Sequence, residues 1–236
     1  MIHTPQQTHY TIAKHFLSEG VDVFVDKPLT LSYLQAKELY QLAKDNNALL
    51  TAGYNRRFVP FYRDLADVPG KRVIHVVKNR KNDEQTPAHA IFDALSHPLD
   101  TALFLGGFPK NMQVETLVTT LEDGKLAFAQ VLLHNENIEI SASIDLHAGA
   151  DFEEATVDST SGIYRVQNLE TKQVFRGTSY EFNSAPDWEP TLVTRGFKPM
   201  VDSFLYAVDR NDVNPVSPES SLLTQSILQK VVESID

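Results

Sequence analysis

The sequence predicts an α/β segment over residues 1–70 and a larger α+β domain over residues 71–236. Three observations point there. Short β-branched runs alternate with amphipathic helical stretches up to about residue 53. From residue 71 onward, strand-like runs follow one another with turn signals between them. Two helical stretches close the chain. Strand–helix alternation with short connections implies a parallel sheet covered by helices, whereas successive runs joined by hairpin turns imply an open, mostly antiparallel sheet with helices on one face.

Residues 6–19 place Ile12, Ala13, Phe16 and Leu17 at helical spacing, with Gly20 as the C-cap. Val21 to Val25 is a β-branched strand, and Asp26 to Thr30 a loop. Residues 32–46 form an amphipathic helix with Leu34, Leu39, Leu42 and Ala43 inward, and strand 48–52 ends at Gly53. In the second part, Lys71 to Asn79 reads as a strand, 80–86 as a polar loop, and 91–105 as a buried helix closed by Gly106-Gly107. Strand-like runs follow at 111–121, 124–134, 137–147, 152–159 and 162–168, with turns at Glu122-Asp123-Gly124 and Asn135-Glu136-Asn137. Residues 178–196, with Trp188 and two prolines, read as irregular. Residues 198–210 and 218–235 are helices, the second opened by Ser217 as N-cap and Pro218 at its first position.

The formal net charge of -10 disfavours nucleic acid as a partner but not a small anion, because a local site can be positive on a negative protein. With no cysteine, disulfides, thiolate nucleophiles and zinc–thiolate sites are excluded. No apolar run approaches the roughly 20 residues needed to span a bilayer, and the N-terminus does not read as a signal peptide. A cytoplasmic protein without a membrane partner is expected. Neither HExxH nor DxDxDG metal-ligand spacing occurs, nor does Gly-x-Gly-x-x-Gly.

Lys27 lies two residues past a parallel strand, where open α/β sheets bind ligands, and Pro28 stiffens its loop. It serves there as an acid, a base or an orienting cation, or else it is a solvated turn lysine. Asp93, His97 and Asp100 are spaced i, i+4, i+7 and share one helical face, although Pro98 suits only a first turn. A carboxylate beside an imidazole suits a general base; the alternative is a helix-start aspartate and a partly buried histidine. Arg56-Arg57 follows the second strand, as an anion site or a helix-start ion pair. His3 and His9 flank Thr4-Pro5 at a helix start, where anions are favoured.

Taken in order, four segments resemble the Gfo/Idh/MocA oxidoreductases: His3-Thr4-Pro5 with His9; Asp26-Lys27-Pro28; Gly53-Tyr54-Asn55-Arg56-Arg57-Phe58; and Asp93 with His97 and Asp100. The resemblance implies the C-terminal half of a Rossmann-like sheet, then a substrate domain whose open sheet face forms homodimers or homotetramers. It implies NAD or NADP as cofactor and a sugar- or polyol-like substrate. Lys27 would contact the substrate hydroxyl and the nicotinamide ribose, His97 would exchange the hydroxyl proton, and Asp93 would orient it. Thr4, Pro5, His9, Asp26, Lys27, Asn55 and Arg57 would line the cofactor. It further implies that the glycine loop and the first strands lie before Met1, with weakened cofactor binding by this chain and an exposed inner sheet edge. A non-catalytic, dimeric sugar-binding or scaffold remnant of the family is the alternative.

Overall fold

The computed structural model describes residues 1–235, which form two sheets and eight α-helical segments among those residues. The first sheet pairs β1 (Val23–Asp26) with β2 (Leu50–Gly53) in parallel, Asp26 opposite Gly53 at the carboxyl ends. Ile2 bridges to Val25 in parallel on the other side of β1. Helices α1 (Gln6–Ser18) and α2 (Tyr33–Asp45) supply the crossovers. They bury His9, Ala13 and Leu17, and Ala36, Leu39, Tyr40 and Ala43. Leu34 and Phe16 differ from the helical-spacing reading: both are exposed, Leu34 because it stands in the first turn of α2, outside the stripe set by Ala36, Leu39, Tyr40 and Ala43.

The second sheet has eight strands: β3 (Lys71–Asn79), β4 (Gln113–Thr120), β5 (Leu126–His134), β6 (Glu139–Asp145), β7 (Phe152–Ser159), β8 (Gly162–Gln167), β9 (Thr171–Arg176) and β10 (Ser179–Ser184). Their order is β10-β9-β8-β7-β3-β6-β5-β4, antiparallel throughout except that β3 runs parallel to β6. The expected mostly antiparallel sheet is present. Residues 179–184 are strand rather than irregular. β10 is an edge strand, exposed along its whole length, so it carries no buried alternation to read.

One sheet face is covered by helix. Ile74, Val76, Val131, Leu133, Ile140, Ala142, Ala155 and Val157 are buried there beneath α5 (Ser96–Leu105) and α8 (Pro218–Glu233). The smaller core around β1 and β2 is completed by Met200 and Phe204 of α7 (Phe197–Arg210) and by Val216. A short helix, α6 (Thr191–Thr194), precedes α7.

The stretch read as one helix over 91–105 is two continuous pieces, and a third precedes it. α4 (Pro87–Ala90) leads into a wide π turn over Ile91–Leu95, which leads into α5. Pro98 stands within the first turn of α5, where its missing N–H does least damage. The wide turn lets the helix run on upstream without the ring meeting the carbonyl four residues back.

A 3₁₀ turn over Asn55–Phe58 joins the two sheets. Arg57 is locked there. Its Nε and Nη2 donate to the two Asp100 carboxylate oxygens at 2.9 and 2.5 Å, and its Nη1 donates to Ser220 Oγ at 2.7 Å. Thr224 Oγ1 donates to Asp100 as well, at 2.9 Å. Both charges are buried, and breaking such a pair strands the partner. Asp100→Ala is therefore expected to lower the unfolding free energy by about 3–5 kcal/mol in urea denaturation, with the double variant Arg57→Met/Asp100→Leu recovering most of it.

Candidate active site

The tip of β1, the π turn and the end of β3 converge: Lys27 bonds to Asp93, and the charge of Lys78 acts on both Asp93 and His97, so these groups border one cleft. Lys27 is the residue immediately after β1, and its peptide bond to Pro28 is cis. Its backbone N–H donates to Asp26 Oδ1 at 2.8 Å. Its Nζ reaches across to the π turn, donating to Asp93 Oδ1 at 2.7 Å and to the Asp93 carbonyl at 2.9 Å. That carbonyl lies in the wide turn. Five residues ahead of it stands Pro98, which has no N–H to give, and the Ser96 hydroxyl supplies a second donor at 2.9 Å. Gln6 Nε2 donates to the same Asp93 oxygen at 2.9 Å. Burial alone would raise the Asp93 carboxyl; the Lys27 ammonium, through its charge and hydrogen bond, outweighs that and holds it below the usual carboxylate range.

His97 lies one turn beyond Asp93 and is half-buried. Desolvation, and then the positive charges of Arg56, Lys78, Lys27 and Arg80, push the imidazole well below its ordinary value. It is thus neutral at neutral pH and able to take a proton. Asp93 is committed to Lys27 and Gln6, and no hydrogen bond links it to His97 among the described residues. The expected carboxylate–imidazole pair is replaced by a carboxylate–ammonium pair, because the π turn presents Asp93 to the β1 tip.

The floor of the cleft carries a group that the motifs do not mark. On β3, period-2 alternation puts Lys78 on the same face as Ile74 and Val76, so its side chain enters the covered side of the sheet. Lys78 is 5% exposed and has no hydrogen-bond or ion-pair partner among the described residues. Its cross-strand neighbour is Glu153 on β7, but Arg56 takes both Glu153 oxygens, at 3.1 and 2.9 Å. Desolvation, then the charges of Arg56, Lys27 and Arg80 opposed by Glu153, pulls the Lys78 amine down to about 6.

The other expected residues fall into two groups. Thr4, Pro5 and Asp26 sit around the tip of β1, with Thr4 and Pro5 exposed, Asp26 partly so, and His3 3.8 Å from Asp26. His9 is buried and acts as a clamp: Nδ1 lies 2.8 Å from the Pro28 carbonyl and Nε2 2.9 Å from the Thr4 carbonyl, holding the two loops together. Asn55 is buried too, donating from Nδ2 to the Arg195 carbonyl at 2.8 Å and accepting from Arg56 Nη1 at 3.1 Å. The next residue, Gly196, has φ +76°, and a Cβ there would strike the Asn55 carbonyl oxygen, so only glycine fits. Arg57 does not reach the cleft. Asp100 and Ser220 occupy its guanidinium, which makes it a buried tie rather than a lining group.

The residues at the β1 tip fit the nicotinamide end of a dinucleotide. Gln6 Oε1 is buried near the Lys27–Asp93 pair and meets no donor among the described residues. An amide or hydroxyl of a bound group satisfies such an atom. Among the described residues no cluster of three or more His, Asp or Glu side chains is arranged to hold a metal ion, and no helix is long and apolar enough to cross a membrane. An apolar groove of about 580 Å³, lined by Leu103, Phe108, Val114 and Ile227, lies apart from these charged groups.

The profile of the oxidoreductase family with an NAD-binding Rossmann fold, Gfo/Idh/MocA, matches residues 1–54, and that of the YceM-like C-terminal domain matches residues 60–177. The chain belongs to the Gfo/Idh/MocA oxidoreductase family. It is 29% identical over 231 residues to YceM of Salmonella typhimurium, named as an oxidoreductase, covering 97% of this chain and 75% of that one. The crystal structure of a dehydrogenase (MviM) from Clostridium difficile superposes with a TM-score of 0.93 at 27% identity, over 98% of this chain and 77% of that one. A Gfo/Idh/MocA family oxidoreductase from Vibrio cholerae shares the fold, with a TM-score of 0.91 at 24% identity over 100% of this chain and 77% of that one.

Within this family member Lys78 is a stability liability whose sign is fixed. The folded state binds fewer protons there than the unfolded chain between pH about 6 and 10.5, so stability rises with pH through that window. Lys78→Met is expected to stabilise the fold at pH 7 by on the order of 3 kcal/mol, the gain fading as pH approaches the ordinary lysine value. Urea denaturation across pH checks both the size and the slope.

Proposed function

We propose that this oxidoreductase transfers hydride between NAD or NADP and a hydroxyl-bearing, sugar- or polyol-like small molecule. The convergence of Lys27, Asp93 and neutral His97 on one cleft at the β1 tip supports it most directly. A nicotinamide, when bound, supplies the hydride acceptor or donor. The residues of the chain do the rest. Lys27, fixed by Asp93, directs an ammonium proton at the substrate oxygen and stabilises the alkoxide character that grows as the C–H bond breaks. His97 takes the hydroxyl proton in oxidation and returns it in reduction. His9 positions the Thr4-Pro5 and Lys27-Pro28 loops, and Gln6 supports Asp93 through its Nε2. Asp93 acts as a positioning residue for Lys27.

Lys27→Ala is expected to reduce turnover by roughly 10²–10⁴-fold with the fold intact by circular dichroism. The readout is nicotinamide absorbance with a panel of polyols. Undiminished turnover in that variant removes Lys27 from the mechanism. His97 must be neutral to accept a proton, so activity in the oxidative direction is lost only as pH falls through its depressed value. The acidic limb of kcat/KM should therefore lie below the ordinary histidine value of 6.5.

The uncovered face of the eight-stranded sheet supports self-association as homodimer or homotetramer. Leu117, Ile163, Tyr180 and Phe182 are exposed and share that face by strand register. Ile163→Asp with Phe182→Asp is expected to give a monomer by light scattering on size exclusion, while the unaltered chain runs as an oligomer.

A further inference from the structure

Lys78, Arg80 and Arg195 line a cavity of about 470 Å³ that opens at the end of β3, together with Arg56, Asp151 and Glu153. The pairings leave an imbalance. Arg56 and Glu153 neutralise each other bidentately, and Arg80 lies 3.5 Å from Asp151 in a half-exposed pair. Arg195 forms no ion pair among the described residues, and Glu170 stands in the lining as a third carboxylate. Lys78 is the decisive group. It is more than nine-tenths buried, lies on the core-facing side of a central strand, and has no acceptor among the described residues. An ammonium without an acceptor is disfavoured there, so in the empty protein the amine is held down to about 6, and the three arginines of the lining are balanced by its three carboxylates. A ligand that brings an anionic oxygen to Lys78 gives the amine an acceptor and lets it hold its proton.

We infer that the cavity around Lys78, Arg80 and Arg195 is an anion subsite, which takes the carboxylate or phosphoryl group of a polyhydroxylated substrate whose reacting hydroxyl lies at Lys27 and His97. It deepens the hydride-transfer proposal and rests on it for the position of the hydroxyl. The same preference then selects acidic or phosphorylated polyols over neutral ones. A carboxylate and a phosphoryl group present the same oxygens to Lys78 and differ in size and charge, so a probe of each kind separates them.

The test is isothermal titration of the intact chain, without nicotinamide, with glucitol, gluconate and glucitol 6-phosphate. At least one charged polyol is expected to bind about tenfold or more tightly than glucitol, and Lys78→Met to abolish that difference while Lys78→Arg keeps it. Tighter binding of gluconate assigns a carboxylate, and of glucitol 6-phosphate a phosphoryl group. Failure of both charged polyols to bind, or a preference that survives in Lys78→Met, overturns the subsite. Should Lys78→Met not fold, lysine side-chain NMR of the unaltered chain decides. The amine that titrates near 6 is expected to move upward when the charged polyol is bound, and an unmoved titration overturns the subsite. Neither measurement involves hydride transfer, so failure here leaves the oxidoreductase proposal to its own test at Lys27.

Discussion

The structure depends on two adjacent arginines that leave one 3₁₀ turn in opposite directions. Arg57 binds Asp100 on α5 and Ser220 on α8, and Arg56 binds Glu153 on β7. A single turn at the end of β2 is thereby tied to the helix that carries His97 and to the sheet that carries Lys78. Asp100 follows His97 by one turn, so the depth of the Arg57 pair fixes where the imbalance of charge and the imidazole meet. The attraction is strong because both pairs are screened from water. The geometry is bidentate in each case, which is what arginine offers and lysine does not.

Around that frame the cleft is built from groups that are individually unfavourable. Among the described residues a buried lysine lacks an acceptor, a histidine is surrounded by cations, and a glutamine oxygen lacks a donor. Each raises the free energy of the empty protein and lowers that of a complex which satisfies it. Electrostatic fields of this kind act most strongly where water is excluded. The stability of the fold comes from elsewhere: from the apolar layer between the eight-stranded sheet and its helices, and from the smaller core that α7 closes over β1 and β2.

Much of this was legible in the sequence. The alternation before residue 53 and the strand-like runs after residue 71 produced both sheets, because burial on one face imposes a period that survives in the residues themselves. Lys27, Asp93 and His97 could be singled out as candidates through their order along the chain and their places at a strand tip and on a helix. Their pairing could not, since the π turn rotates Asp93 away from His97 and toward Lys27, and nothing in residues 91–95 announces a wide turn. Arg57 read equally as an anion site or an ion pair, and only the approach of α8 decided it. Lys78 left a signal that was readable: a lysine in phase with Ile74 and Val76 on a strand cannot face solvent unless the register breaks. Gln6 left none, because a lone glutamine in the first turn of a helix is ordinary, and β10 left none because an edge strand buries too little to be periodic.

The π turn also separates two functions along one continuous helical rod. Each added residue advances the phase by roughly 100°, so a wide turn acts as a rotational joint between the segment that presents Asp93 and the segment anchored through Asp100. Side chains upstream of the joint can change their angle toward the β1 tip without disturbing the anchored half below. The angle at which the upper segment meets the β1 tip is therefore mechanically separate from the ties of Arg57 and Thr224 that hold the lower one.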